Sequence, residues 1–185
     1  MDKSGLKLLL DKHTHFTNQL YYLIQSLLVA SDVKYQIVES RTKDIDSLND
    51  KIDRKKINDI NDVTDLSGIR IIVYYQDDID KIEKIIDDNF IIDKENSVDK
   101  SKLYKSNEFG YLSVHYIVQL NQDRENLTEW KHSKNLKAEI QVRTVLQHSW
   151  ASISHELSYK KGYEIPKPLE RKLYRLAGLF ELADE

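Results

Sequence analysis

Three ionisable or hydrogen-bonding side chains alternate with apolar residues in the segment 137–143: Glu139, Gln141 and Arg143. This period of two predicts a strand with one apolar face and one charged face. The apolar spacing then becomes helical, and Thr144 with Gln147 three residues later is typical of a capping box at a helix start. The polar strand face could simply be solvated, but the following helix adds His148 and so concentrates functional groups at one strand end.

A second carboxylate, Asp65, comes just before residues 69–75, a nearly continuous β-branched and aromatic segment. Such a segment predicts a central strand buried on both faces. Arg70 interrupts it and needs an anionic partner, because an unpaired buried charge is costly. Asp65 and Glu139 thus both lie at strand ends. Carboxylates that share a divalent cation, with basic side chains on phosphates, are the groups that phosphoryl transfer needs.

Basic side chains gather where a predicted strand over residues 33–43 leads into a short helix: Arg41, Lys43, Lys51 and Arg54. Such a cluster at a strand-to-helix junction can clamp a polyphosphate. The alternative is a solvated basic helix, and the local sequence leaves both interpretations open.

Another predicted strand, over residues 109–120, presents Tyr111, Ser113 and His115 on the face opposite its apolar residues. If it shares a sheet with the strand at 137–143 and their faces are aligned, the two polar rows form one site. A tyrosine in that site could stack on a base. The alternative is an ordinary half-exposed strand.

Helical spacing of apolar residues predicts the elements that must position these groups. They are a long helix over about residues 5–30, a surface helix over 77–88 with its isoleucines facing inward, and a last helix over 167–184. We interpret the first as a packing helix with incidental histidines, His13 and His15, because two histidines at that spacing do not converge on a metal. Helices mixed with strands predict an α/β fold.

Composition excludes several classes of protein. With 28 basic and 31 acidic residues and a formal net charge of -3, the chain has no overall positive field that would indicate nucleic acid. Cysteine is absent, which excludes disulfides and thiolate metal sites, and the spacing of the 5 glycines excludes the P-loop and the Rossmann fingerprint. We find no signal peptide and no apolar run long enough to span a bilayer, so we expect a cytoplasmic location and no membrane partner.

Four motifs in order resemble the synthetase domains of the RelA/SpoT family, which make guanosine tetra- and pentaphosphate alarmones. They are Ser40-Arg41-Thr42-Lys43 with Ser47 and Lys51, Asp65-Leu66-Ser67-Gly68-Ile69-Arg70, Gly110-Tyr111-Leu112-Ser113-Val114-His115, and Glu139-Ile140-Gln141-Val142-Arg143-Thr144. The continuation Trp150-Ala151 and His155-Glu156-Leu157 is similar to the small single-domain members. The resemblance covers residue 34 to the end of the chain.

The resemblance implies a nucleotidyltransferase-like mixed sheet of about five strands flanked by helices. Residues 1–185 would form one synthetase domain, with a catalytic core over about 33–160 and without a hydrolase domain. The implied reaction is a magnesium-dependent transfer of pyrophosphate from ATP to the 3′-hydroxyl of GDP or GTP, with AMP leaving. Because the chain stops directly after its last helix, the sequence leaves open whether it is a fragment of a longer protein. It also leaves open whether the protein forms a homo-oligomer.

The resemblance also implies a role for each matching position. The catalytic and magnesium-binding residues would be Asp65 and Glu139. ATP would be bound by Arg41, Lys43, Ser47, Lys51, Arg54 and Arg70. The acceptor nucleotide would be bound by Lys105, Tyr111, Ser113, His115, Gln141 and His148.

One departure from the family pattern concerns the acceptor. The run from Lys105 to Leu112 has few basic residues, and Leu112 stands where an arginine is common. An alternative acceptor is therefore the 3′ end of tRNA, which toxin members of the superfamily modify. A second alternative is an inactive module that senses nucleotides, although the presence of both Asp65 and Glu139 argues against it.

Overall fold

Helices and strands alternate along the computed structural model, which describes residues 3–57, 59–99, 113–158 and 166–185. The helices are α1 (Lys3–Ala30), α2 (Ile45–Lys55), α3 (Asp77–Asn89), α4 (Gln122–Glu125), α5 (Val145–Ser158) and α6 (Lys167–Asp184). The strands are β1 (Tyr35–Thr42), β2 (Ser67–Val73), β3 (Phe90–Ile92), β4 (Val98–Asp99), β5 (Val114–Leu120) and β6 (Ala138–Thr144). Short 3-10 helices cover Ile60–Asp62 and Thr128–Trp130.

The strands form one mixed sheet in the order β1-β2-β6-β5-β3, and the short strand β4 also pairs with β5. Strands β2 and β6 are parallel, whereas the other neighbours are antiparallel. The predicted mixed sheet flanked by helices is confirmed, with β4 as an addition to the five strands expected. Because β2 and β6 are parallel, their first residues lie at the same edge of the sheet, and Gly68 pairs with Glu139 there.

Strand β2 is the central strand that the sequence predicts, but its two halves differ. Ile71, Ile72 and Val73 are buried, whereas Gly68 and Arg70 are only half-buried. The prediction of burial on both faces over residues 69–75 is therefore wrong for Tyr74 and Tyr75, which lie beyond the strand and are exposed, and for Arg70 in its first half. There, one face borders a cavity instead of a helix, and this leaves room for a charged side chain.

Helices α1 and α3 contribute to the main hydrophobic core together with the apolar residues of the sheet. The isoleucines of α3 predicted to face inward are all buried: Ile79, Ile82, Ile85 and Ile86. Residues 121–136 are mostly polar, yet Trp130 is buried there. Its ring packs edge-on against Phe16 of α1 at a centroid distance of 6.4 Å.

Polar groups also hold α1 against the sheet. His13 is only 5% exposed, and its Nδ1 lies 2.8 Å from Oγ of Ser67 at the start of β2. Thr42 at the end of β1 donates a hydrogen bond to the hydroxyl of Thr17 at 3.2 Å. Burial lowers the pKa of His13 to about 4. The interpretation of His13 as incidental is therefore wrong, because its ring ties α1 to the central strand.

The junction between β6 and α5 is a reciprocal capping box, as predicted. The Thr144 N–H donates to Oε1 of Gln147 at 2.8 Å, and the Gln147 N–H donates to Oγ1 of Thr144 at 3.0 Å. Helix α6 returns along α5, and its Asp184 accepts a hydrogen bond from the Thr144 hydroxyl at 2.6 Å. Among the described residues, no helix has the length and apolar character needed to cross a membrane.

Candidate active site

A cavity of about 430 Å³ opens where β1 ends and β2 and β6 begin. Its described lining residues are Glu39, Ser40, Arg41, Lys43, Asp65, Gly68, Ile69, Arg70, Glu139 and Gln141. Its volume suits a nucleotide-sized ligand, because small-molecule sites commonly measure about 300–1,000 Å³. The sheet topology thus brings Arg41 and Lys43 of the basic cluster and both candidate carboxylates to one cavity.

Asp65 is held by two lysines from different elements. Its Oδ2 lies 3.1 Å from Nζ of Lys43, which follows β1, and its Oδ1 lies 2.7 Å from Nζ of Lys51 on α2. Burial acts to raise the pKa of Asp65, but the hydrogen bonds and charges of the two lysines lower it below its ordinary value. Asp65 is therefore an anion at neutral pH, and the three groups together carry one net positive charge.

Arg70 has the anionic partner that its position requires. Glu39 lies directly opposite it on the antiparallel strand β1, and Oε2 of Glu39 is 3.0 Å from Nη1 of Arg70. Sequence reasoning did not select Glu39 as a site residue. The strand period that places Glu39 on the same side of β1 as Arg41 and Lys43 was the signal that could have found it.

The described part of the first polar row, Ser113 and His115, meets the row on β6, as predicted. Strands β5 and β6 are antiparallel neighbours with His115 opposite Gln141. His115 Nδ1 is 2.8 Å from Oε1 of Glu139, and His115 Nε2 is 2.8 Å from Oγ of Ser113. Gln141 donates from Nε2 to Oε2 of Glu139 at 2.7 Å. Arg143 donates from Nη2 to Oε1 of Gln141 at 3.2 Å. We call this continuous chain of hydrogen bonds the Ser113–Arg143 relay.

Glu139 is a member of the relay that lines the cavity, together with Gln141. Burial acts to raise the pKa of its carboxyl, but hydrogen bonds from His115 and Gln141 hold the pKa below its ordinary value. The negative charge of Asp65 acts in the raising direction, which shows that the two carboxylates influence each other. The cavity therefore contains two interacting anions bordered by cations, and a bound cation would relieve their repulsion.

Three of the predicted ATP-binding residues lie at the margin of the cavity or outside its described lining. Arg41 lines the cavity, but its side chain is 73% exposed and pairs with Asp44 at 3.2 Å. Ser47 donates its N–H and its hydroxyl to Asp44, the residue that caps α2. Arg54 is exposed in the last turn of α2 and is not among the described residues that line the cavity. The structure thus gives Ser47 a capping contact and leaves Arg54 outside the site.

The predicted acceptor residues divide into four groups. Gln141 lines the cavity, and Ser113 and His115 stand behind Glu139, where Ser113 is only 3% exposed. Burial and then the charge of Arg70 lower the pKa of His148, which places this histidine near the arginines of the site. Lys105 and Tyr111 lie outside the described residues, so their roles stay predictions.

Comparison with known proteins points to one family. Residues 40–164 match the model of the region found in RelA / SpoT proteins. The chain is 29% identical to GTP pyrophosphokinase YjbM of Bacillus subtilis over 155 residues, which make up 81% of this chain and 69% of that protein.

Solved structures give the same result. The chain is similar to small alarmone synthetase 1 from Bacillus subtilis, with a TM-score of 0.80 and 25% identity over 98% of this chain and 93% of that one. A structure of that synthetase bound to its product pppGpp aligns with a TM-score of 0.78 and 25% identity, over 99% of this chain and 94% of that one. A GTP pyrophosphokinase family protein from Streptococcus pneumoniae aligns with a TM-score of 0.79 and 25% identity, over 100% of this chain and 91% of that one.

Proposed function

Because the chain belongs to the family defined by the region found in RelA / SpoT proteins, we propose that it is a pyrophosphokinase that acts on guanine nucleotides. It transfers the β- and γ-phosphates of ATP to the 3′-hydroxyl of GDP or GTP and releases AMP. The observation that carries this proposal is the meeting of Asp65 and Glu139 in one cavity with Lys43 and Arg70. Supporting it, similar proteins are named GTP pyrophosphokinases, and one similar structure contains pppGpp.

The donor phosphates are assigned to the basic side of the cavity. Lys43 and Arg70 line the cavity, and Lys51 joins them through Asp65. Ion pairs with Asp65 and Glu39 at 2.7–3.1 Å orient all three side chains before a ligand arrives. Preorganised cations stabilise the charge of a transferring phosphoryl group without reorganising during the reaction. Arg41 is exposed at the rim, where it can contact the adenine nucleotide from outside.

The carboxylates fit a magnesium ion that is completed by substrate. Each carboxylate has lone pairs beyond the one hydrogen bond or ion pair per oxygen seen here, so Asp65 and Glu139 can each supply a ligand. Within the described ranges no group of three or more histidine or acidic side chains converges on a metal position. Magnesium is commonly held by one or two carboxylates and substrate phosphates, and Asp65 and Glu139 would supply the two carboxylates. When bound, Mg²⁺ would neutralise phosphate charge.

Glu139 also accepts the proton of the attacking hydroxyl in this proposal. The 3′-oxygen bonds to the β-phosphorus, the bond from that phosphorus to the α-phosphate oxygen breaks, and AMP leaves with the electron pair. Because its low pKa keeps Glu139 ionised at neutral pH, the carboxylate is available for the proton throughout the physiological range.

The test compares acceptors with the wild-type chain. ATP and Mg²⁺ are incubated with GDP, GTP or tRNA, and AMP and the modified acceptor are quantified by chromatography, with chelation of the metal as the control. We expect equal amounts of AMP and pyrophosphorylated guanine nucleotide, and none after chelation. Transfer to tRNA alone would contradict the guanine-nucleotide acceptor, whereas ATP binding without AMP release would replace the enzyme by a nucleotide-sensing module.

A further inference from the structure

We propose that His115 and Ser113 are positioning residues that hold the carboxylate of Glu139, and that His115 does this as the tautomer protonated on Nδ1. The inference rests on the proposed function, in which Glu139 receives the hydroxyl proton. It changes the role that the sequence predicts for His115, which was contact with the acceptor nucleotide.

The chemistry of the arginine and of the carboxylate fixes the directions of the hydrogen bonds between Arg143 and His115. Arginine has only donors, so Oε1 of Gln141 must accept from Arg143, and this orients the amide so that Nε2 donates to Glu139. An ionised carboxylate has only acceptors, so His115 must donate from Nδ1 to Oε1 of Glu139. In the proposed neutral tautomer, Nε2 of His115 then accepts from the hydroxyl of Ser113, and these two atoms are 2.8 Å apart.

Burial of Ser113 strengthens this assignment. Ser113 is only 3% exposed, so its hydroxyl is poorly placed to contact a nucleotide in the cavity. Both ring nitrogens of His115 already have partners, which leaves neither for the acceptor. The ring therefore acts on the reaction through Glu139, whose two oxygens are each gripped by one donor.

Without the hydrogen bond from His115, the carboxylate of Glu139 that accepts the proton would be misplaced. If Ser113 no longer donates to Nε2, the ring can place its proton there and turn a lone pair of Nδ1 toward Glu139. Two acceptors would then face each other, and the carboxylate would move away. Loss of partners that orient a functional ligand commonly costs about ten- to a hundredfold in activity.

Isosteric variants separate this mechanism from a general role in packing. The amide nitrogen of asparagine can replace Nδ1 of histidine, whereas that of glutamine can replace Nε2. We expect His115→Asn to retain kcat within about tenfold of wild type and His115→Gln to lose about a hundredfold. Ser113→Ala should lower kcat about tenfold, with KM for ATP and for the guanine nucleotide nearly unchanged.

Ser133→Ala is the matched control, because Ser133 is also buried and also donates its hydroxyl to another side chain, Gln19. It should leave kcat at the wild-type value, and thermal unfolding identifies any variant that fails to fold. Equal kcat for His115→Asn and His115→Gln would overturn the proposal. An increase in acceptor KM at constant kcat would also overturn it and return His115 to the acceptor.

Nitrogen NMR of the histidine rings tests the tautomer without any activity. In the wild-type protein, the resonances that disappear in His115→Asn should show a protonated Nδ1 and an unprotonated Nε2, and Ser113→Ala should change this pattern. This tautomer in a chain without transferase activity would contradict the proposed function alone. A proton on Nε2 in an active enzyme would contradict this inference alone.

Discussion

Two histidine–serine pairs in this protein have the same separation and different surroundings. His13 Nδ1 lies 2.8 Å from the Ser67 hydroxyl, and His115 Nε2 lies 2.8 Å from the Ser113 hydroxyl. The first pair joins α1 to the start of β2, and its serine also lies 3.3 Å from the backbone carbonyl of His13. The second pair has the carboxylate of Glu139 on the other ring nitrogen.

The comparison shows that the third partner decides the role of such a pair. A backbone carbonyl in a closed interface completes a contact that fixes one element on another, and burial there lowers the pKa of the ring to about 4. In the second pair, the oriented ring holds the carboxylate of Glu139, and this carboxylate borders an open cavity where it can contact substrate. The same two residue types therefore stabilise the fold in one place and position a reactive group in the other.

Removing the negative charge of Glu139, the third partner of the His115–Ser113 pair, should have the largest effect on kcat. Glu139→Gln keeps the size of the side chain but loses the proton acceptor and one of the two anions in the cavity. We expect kcat to fall by about a hundredfold or more, or ~3 kcal/mol in the barrier, because catalytic groups of this kind contribute that much. Steady-state kinetics and thermal unfolding measure this, with the exposed Glu95→Gln as the control. Near-normal turnover in Glu139→Gln would place the proton acceptor elsewhere.

Acid should weaken the structural pair. Because the pKa of His13 is lowered to about 4 in the folded protein, the unfolded state binds more protons between pH 6.5 and 4, and stability falls as the pH falls through this window. The loss reaches about 3 kcal/mol at the lower limit. Denaturant unfolding at several pH values measures it, and His13→Gln should show a shallower dependence. Identical pH slopes for the two proteins would show that the ring is charged or accessible in the folded state.

A smaller effect should follow from breaking the His13 pair at constant pH. His13→Leu leaves the buried hydroxyl of Ser67 without its side-chain partner, and we expect a loss of about 1–3 kcal/mol in the free energy of unfolding. Adding Ser67→Ala should recover part of that loss, because replacing both partners by apolar groups removes the hydroxyl that lost its side-chain partner. The folded His13→Leu protein should retain kcat within about threefold, unlike His115→Gln. A large fall in kcat with no loss of stability would reverse the contrast between the two pairs.

Local patterns in the sequence were sufficient for most elements of the fold. The alternation at 137–143, the isoleucines of α3 and the Thr144–Gln147 capping box depend on residues two to four positions apart, and the structure confirms all three. The ordered motifs predicted the mixed sheet as well. They also selected Lys43, Asp65, Arg70, Glu139 and Gln141, which all line the cavity.

Only the tertiary structure decided which of these side chains touch. Glu39 and Arg70 are 31 residues apart, His115 and Glu139 are 24 apart, and His13 and Ser67 are 54 apart. Each contact depends on strand order and register or on the packing of α1, and no short-range period encodes these. A shift of one residue between β5 and β6 would turn the polar rows to opposite faces. The sequence was therefore sufficient to select the residue types of the site. Only the folded chain decides which of them pair, and this pairing gives His13 and His115 their different roles.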